Sequence, residues 1–222
     1  MPHRIRRPPG YATREAVVGA ALAMTDRDGL KGVTIRALAE ALDVPPMTLY
    51  ANFSSKNELF DLMYFEVAER LFADVEQPTW QGALRSVGSS LRRLLTEHPN
   101  WAPLFSRPAP PLRSPGRERL LVRLQEGGLS AEQAFVALST VLLSSLGMMF
   151  IELELRAASG GAGVTERLEA LRQDTEDVNP SERPLTQEAL KGLSSLQLGH
   201  LHEQTLELLL AGVELRLAAT IS

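Results

Sequence analysis

The sequence predicts an all-α fold: an N-terminal three-helix bundle with a helix-turn-helix, joined by a long helix to a larger helical body. Three observations predict it. Apolar residues recur at three- and four-residue steps along the chain, the spacing of helices with one buried face. Thr13, Thr34, Ser55 and Ser130 stand where helices should begin, and Gly29, Pro99 and the pair Gly127-Gly128 stand where helices should stop. Residues 134–151 carry no charge over 18 positions, which suits a helix surrounded by other helices.

The chain opens on a basic arm, His3-Arg4-Ile5-Arg6-Arg7-Pro8-Pro9. Arg4, Arg6 and Arg7 are either accessory contacts to DNA or part of a solvated end. Thr13 then caps a helix to about Asp28 with Ala16, Val17, Ala20, Ala21 and Met24 on one face. Thr34 caps a second helix whose Ile35, Leu38, Ala39 and Leu42 share a face. Asp43 falls at the turn, since Asp tolerates the left-handed conformation better than most residues. Pro45 and Pro46 fit the first turn of a third helix over 46–53, where a missing N–H costs nothing. Leu49 and Phe53 point inward, leaving Met47, Thr48, Tyr50, Ala51 and Asn52 outside. This is either an ordinary helical hairpin or a helix-turn-helix that enters a major groove. Ser55 with Glu58 forms a capping box that opens a long helix to about Val75, with Phe60, Tyr64, Val67, Ala68, Leu71 and Phe72 on its apolar face.

In the body, 80–97 reads as a helix with Leu84, Val87, Leu91, Leu94 and Leu95 inward, ended by His98-Pro99. Trp101, Leu104 and Phe105 follow, then a proline-rich loop over 107–116. A helix over 117–126 precedes one that begins after Ser130 and contains the uncharged run. That run is either a membrane span or a helix buried on all sides. Ser139, Thr140, Ser144, Ser145 and Gly147 favour the buried helix, and no membrane partner is expected. Glycines at 160, 161 and 163 break it, 165–173 is a short amphipathic piece, 174–184 an acidic loop, and 186–198 weakly helical. The last helix, 201–219, repeats Leu201, Leu208 and Leu215 every seven residues with Thr205, Gly212 and Ala219 four on from each. Such a seam packs closely, either within the subunit or across a dimer.

Net charge is −4, but it is unevenly placed. Residues 1–58 hold eight Lys/Arg against six Asp/Glu, and the remainder fifteen against twenty-one. A positive head on an acidic body fits a protein that meets DNA at one end. We therefore divide the chain into a DNA-binding domain over 1–58 and a ligand-binding and dimerisation domain over 59–222. The chain has no cysteine, which fits a reducing cytoplasm, and residues 1–10 lack the apolar core of a secretory signal. A cytoplasmic location is expected. The competing reading is an all-α small-molecule binding or catalytic protein with an incidental hairpin. It finds no Cys nucleophile, no Gly-x-Ser-x-Gly, no phosphate-cradling glycine loop and no His-Glu-x-x-His. His200 and His202, two apart on a helix, would face different directions and could not readily share an ion. No enzyme activity, cofactor or metal is expected.

Thr34, Arg36 to Ala39, Val44, Thr48-Leu49-Tyr50, Phe53, Lys56 and Leu59 resemble the N-terminal domain of the tetracycline repressor (TetR) family over residues 13–63. Trp80-Gln81 and 124–145 resemble the C-terminal domain of the tetracycline repressor itself. The resemblance implies a homodimeric transcriptional regulator, a repressor released from a near-palindromic double-stranded DNA operator by a small-molecule effector. It implies that Thr48 and Tyr50 reach phosphate or base edges, that Lys56 holds a phosphate and that Arg36 does either. Thr34, Pro46, Met47, Ala51 and Asn52 complete the DNA-facing set, Met47 and Ala51 offering apolar contact alone. The uncharged helix and the last helix become the dimer interface, with Leu142, Leu146, Leu201, Leu208 and Leu215 as its residues. Where the tetracycline repressor holds a magnesium–drug complex, the aligned positions are Phe72, Val87, Leu91 and Pro103, none able to coordinate a metal. An apolar or aromatic effector is expected instead, with Met63, Phe72, Val87, Leu91, Trp101, Phe105, Met148 and Met149 as candidates to line its site.

Overall fold

The computed structural model describes residues 12–107, 114–158 and 198–221, with isolated helical positions at 173 and 188 and side chains as far as 216. The basic arm with Arg4, Arg6 and Arg7 lies outside the described residues. So do 108–113 of the proline-rich loop, the glycines at 160–163, and nearly all of the segments expected over 165–198. Among the described residues every regular element is helical.

The helix α1 spans Arg14–Gly32, and Thr13 accepts a hydrogen bond from the N–H of Ala16 at 3.2 Å. Gly29, at φ 72°, leaves the helical region within that span, so the first helix stops where the glycine predicts and one more turn follows. Next come α2 (Ile35–Ala41), α3 (Pro46–Leu49) and α4 (Lys56–Leu71). The third helix is shorter than the sequence suggests. Beyond Leu49 the amides of Tyr50, Ala51 and Asn52 reach back three residues to Met47, Thr48 and Leu49, so the segment tightens into turns. The long helix also ends early, capped at Phe72, although Val75 stays buried at 2% exposure. Then follow α5 (Trp80–Glu97), a 3-10 turn over Pro99–Trp101, α6 (Ala102–Phe105), α7 (Pro115–Glu126), α8 (Ala131–Ala158) and α9 (Leu198–Ile221). Ser130 and Gln133 cap α8 reciprocally: the Ser130 hydroxyl accepts from the Gln133 N–H, and the Gln133 amide oxygen accepts from the Ser130 N–H.

The chain packs as two compact units, one from residues up to 74 with 93–120, the other from 75–92 with residues beyond 120. This packing boundary differs from the division expected at residue 58, because α4 shares its core with the helix-turn-helix. In the first unit α1 packs on α2, α4 and the 3-10 turn. Val17, Ala21, Leu38, Leu49, Leu59, Met63 and Val67 are fully buried there. The turn after α5 grips α1 through three side chains. The Trp101 indole N–H donates to the Leu22 carbonyl at 3.4 Å, and its ring stacks on His98 at 3.8 Å. Nδ1 of His98 lies 3.0 Å from both carboxylate oxygens of Asp26, and the Asn100 amide donates to the Asp26 carbonyl at 2.8 Å.

In the second unit Ala83, Leu84, Val87 and Leu91 of α5 are fully buried, and α8 packs along α9. Gly88 permits the close crossing of α5 with α9: a Cβ there would lie 2.8 Å from Cδ2 of Leu206. Two buried polar sets sit in this unit. Glu152 pairs with Arg92 at 3.4 Å and with Arg156, and Nε2 of His202 lies 3.1 Å from the Ser145 hydroxyl. By length and a mean hydropathy of 2.1, Ala131–Ala157 meets the requirements of a membrane span, with 33% of its most apolar window buried in one protomer. An ion-paired Glu152 buried against Arg92 fits the interior of a helical bundle instead.

Candidate nucleic-acid interface and helical body

The turn between α2 and α3 has the geometry of a helix-terminating Schellman motif. Asp43 sits at φ 53°, its N–H bonds to the Glu40 carbonyl at 3.2 Å, and the Val44 N–H bonds to the Ala39 carbonyl at 3.0 Å. These two bonds close off α2 and swing the chain into α3. Thr34, the cap of α2, accepts from the Ala37 N–H at 3.2 Å, while Arg36 projects to solvent. Leu49 (0% exposed) and Phe53 (2%) anchor α3 and the turns that follow it from beneath, as their spacing predicts. Outward, Met47 is 78% exposed and Tyr50 45%, with Pro46 and Ala51 exposed and Thr48 half-buried. Asn52 is half-buried and its amide donates to the Ala12 carbonyl at 3.0 Å, tying the end of the segment to the chain before α1. Periodicity had placed Asn52 outside and gave no sign of that bond, which spans forty residues.

At the start of α4, Ser55 accepts from the Glu58 N–H at 3.2 Å. The Glu58 carboxylate reaches back to the N–H and hydroxyl of Ser54, at 2.7 and 2.6 Å, rather than to Ser55 itself. Those hydrogen bonds hold the Glu58 carboxyl below its ordinary pKa, with the positive charge of Arg14 adding to the effect. Lys56, the first residue of α4, is exposed, with Nζ 5.3 Å from the centroid of the Phe60 ring. Thr34, Arg36, Pro46, Met47, Tyr50, Ala51 and Lys56 are thus all exposed in the same unit.

The candidate effector residues divide between the units. Met63 (0% exposed), Phe72 (1%), Trp101 (2%) and the half-buried Phe105 belong to the first. Phe105 meets Tyr64 edge-on at 5.7 Å, and Trp101 is engaged with α1 and with the Arg70 guanidinium 5.3 Å from its ring. Val87 and Leu91 (both 0%), Met149 (1%) and the half-buried Met148 belong to the second. A groove of about 330 Å³ runs along α8 and α9, lined by Val136, Ala137, Thr140, Leu209, Gly212 and Val213 with the charged Glu132 and Arg216. None of the effector candidates lines it.

Leucines are exposed on the outer faces of α8 and α9, on α9 among polar residues that include Glu203, Glu207 and Glu214. Leu201 is 36% exposed, Leu208 76% and Leu215 73%, while Leu206 and Leu210 on the inner face are buried. On α8, Leu142 and Leu146 are half-buried, and the residues projecting furthest are Leu143 (69%) and Ile151 (62%). His202 and His200 do face different directions, the first buried at Ser145 and the second exposed beside Gln204.

A short exposed segment propped on a capped helix, in a chain that also carries a larger set of helices, is the arrangement of a helix-turn-helix regulator. Residues 17–63 match the family described as bacterial regulatory proteins, tetR family, and residues 72–217 match the tetracyclin repressor-like C-terminal domain. The chain belongs to the TetR family and is a transcriptional regulator with a ligand-binding domain, like its relatives and unlike an enzyme. The class D tetracycline repressor protein of Escherichia coli is 29% identical over 215 residues, covering 94% of this chain and 92% of the relative. The Streptomyces coelicolor TetR family protein ActR, solved in complex with actinorhodin, superposes with a TM-score of 0.75 at 26% identity, covering 93% of this chain and 98% of that one. SCO7222, a TetR from the same organism, gives 0.74 at 25% identity over 91% of this chain and 97% of its own.

Proposed function

We propose that this protein is a cytoplasmic, homodimeric repressor that leaves a near-palindromic operator when a small apolar or aromatic effector binds. The observation that carries the reading is the recognition segment, whose apolar residues Leu49 and Phe53 are buried while Met47, Tyr50 and Ala51 project outward. Residues 1–58 make the DNA-binding domain. Within it Thr48 and Tyr50 meet phosphate or base edges, Arg36 meets either, and Lys56 holds a phosphate. Thr34 and Pro46 face the DNA backbone. Asn52 sets the angle of the segment through its bond to Ala12.

Two copies associate through α8 and α9, with Leu142, Leu146, Leu201, Leu208 and Leu215 in the interface. Closure by a two-fold axis would set two recognition segments about 34 Å apart, one turn of DNA. Candidate effector contacts are Met63, Phe72, Trp101 and Phe105 in the first unit, and Val87, Leu91, Met148 and Met149 in the second. Phe72, Val87, Leu91 and Pro103 can coordinate no metal, so the effector is not a metal-chelated tetracycline held in that manner. ActR's complex with actinorhodin supports a bound ligand as the effector. The effector releases DNA only by as much as it binds the DNA-incompetent state better, and a coupling of about 1–3 kcal/mol corresponds to roughly 5- to 150-fold.

Lys56→Ala tests the placement of the phosphate contact. It should weaken binding to operator and to unrelated duplex alike, and lower the slope of log affinity against log salt by about one unit. An unchanged slope would remove Lys56 from the interface. A thermal-shift screen with aromatic compounds, repeated with operator present, tests the effector. A compound that stabilises the protein without loosening the operator would contradict the coupling.

A further inference from the structure

The recognition segment has a chemical bias. Between Val44 and Ser55 there is no Arg, Lys, Gln or Glu. The bidentate readers of guanine are therefore missing from this stretch, and the one amide that pairs with adenine, Asn52, donates to the Ala12 carbonyl. Pro45 and Pro46 carry no N–H. The hydroxyls of Thr48 and Tyr50 remain, and each suits more than one base. The largest group presented is apolar: Met47 is 78% exposed, more than any other large hydrophobic side chain among the described residues. Ala51, four residues on, is exposed as well. The major groove offers one apolar feature along its base edges, the C5-methyl of thymine. An unbranched thioether side chain adapts its shape to such a contact more readily than a branched one.

We infer that Met47 reads a thymine methyl in each operator half-site, so that this regulator selects its operator partly by methyl contact. The inference rests on the DNA-binding reading above. Lys56 and Arg36 would supply affinity through charge, and Met47 would supply discrimination at a base pair that no bidentate contact reads. One methyl taken from water is worth about fourfold in affinity, so its loss in both half-sites is worth about fifteenfold.

The test uses the full-length dimer and the duplex recovered by selection from a random pool. Each thymine of the half-site is replaced in turn by deoxyuridine, which removes the methyl and leaves the pairing edge unchanged. One symmetric position should lose about fifteenfold when both half-sites are altered. In Met47→Ala that position should become indifferent to the methyl, while the remaining thymines respond as before. A second variant, Met47→Leu, should restore part of the sensitivity. A flat uracil scan with tight operator binding would overturn the inference and leave the DNA-binding reading standing. A methyl effect that persists undiminished in Met47→Ala would likewise overturn it. Failure of the wild-type protein to enrich any duplex would remove both readings.

Discussion

The outer face of α9 makes the sharpest quantitative demand. Leu208 is 76% exposed in the protomer, while Leu206, two residues away on the opposite face of the helix, is 1% exposed. Full burial of a leucine is worth roughly 1.5–3 kcal/mol, so covering the exposed three-quarters of Leu208 contributes about 1.1–2.3 kcal/mol per copy. A two-fold interface counts it twice, giving about 2.3–4.6 kcal/mol, or roughly two to three orders of magnitude in dissociation constant. Leu208→Ala forfeits most of this. Leu208→Glu forfeits all of it and opposes two carboxylates in an apolar seam. Since Leu208 makes little contact within the protomer, helix content at concentrations where the chain is monomeric should change little. Leu206→Ala, by contrast, empties a buried site and should cost about 2–5 kcal/mol of protomer stability. Sedimentation velocity from nanomolar to micromolar concentration, with far-ultraviolet circular dichroism on the same samples, separates the two effects. A Leu208→Glu protein that dimerises with the wild-type concentration dependence would refute the reasoning.

Two other expectations follow from buried polar groups. Burial, aided by the positive charge of Arg92, pushes the His202 imidazole below its ordinary value of 6.5, against the opposing carboxylates Glu152 and Glu203. The unfolded chain therefore takes up the proton first. Stability from neutral His202 is complete above pH 6.5 and is lost as pH falls from there through the lower folded value. Urea unfolding at pH 7.5 and 5.5 should show that loss in the wild type and a smaller one in His202→Gln, and equal slopes for both would contradict it. Asn52→Ala removes the bond to Ala12 and should lower stability by about 1 kcal/mol while loosening the recognition segment. Operator affinity should then fall more than melting temperature predicts, and unchanged affinity would show the bond to be dispensable for DNA reading.

Much of this was legible in the sequence because helix ends are local chemistry. Thr13, Thr34, Ser55 and Ser130 each accept the hydrogen bond that their position implied. The bounds Trp80–Glu97 and the burial of Leu84, Val87, Leu91, Leu94 and Leu95 follow from one apolar stripe. What was not legible depends on partners distant in sequence. The early end of α4 at Leu71 has no glycine or proline to announce it. There the chain meets Gly116, where a Cβ would lie 2.5 Å from that of Phe72. The length of α3 was ambiguous because eight residues fit an α-helix and a helix relaxing into tighter turns equally well. In α8 an uncharged run has no polar face to mark its outward side. Only packing on α9 distinguishes Leu143, exposed, from Leu142, half-buried. The grip of His98, Asn100 and Trp101 on α1 joins residues more than seventy apart and left no local trace beyond a histidine at a helix end.

The exposed segment over 46–52 should read a particular DNA sequence as part of a dimer. Fluorescence anisotropy with labelled duplexes from upstream of the protein's own coding region, against a scrambled duplex of equal length at the same salt, tests it most directly. One duplex should bind at least about a thousandfold more tightly than the scrambled control, with two protomers, and be loosened by an effector found in the thermal-shift screen. Equal affinity for specific and scrambled duplexes across the region would contradict it.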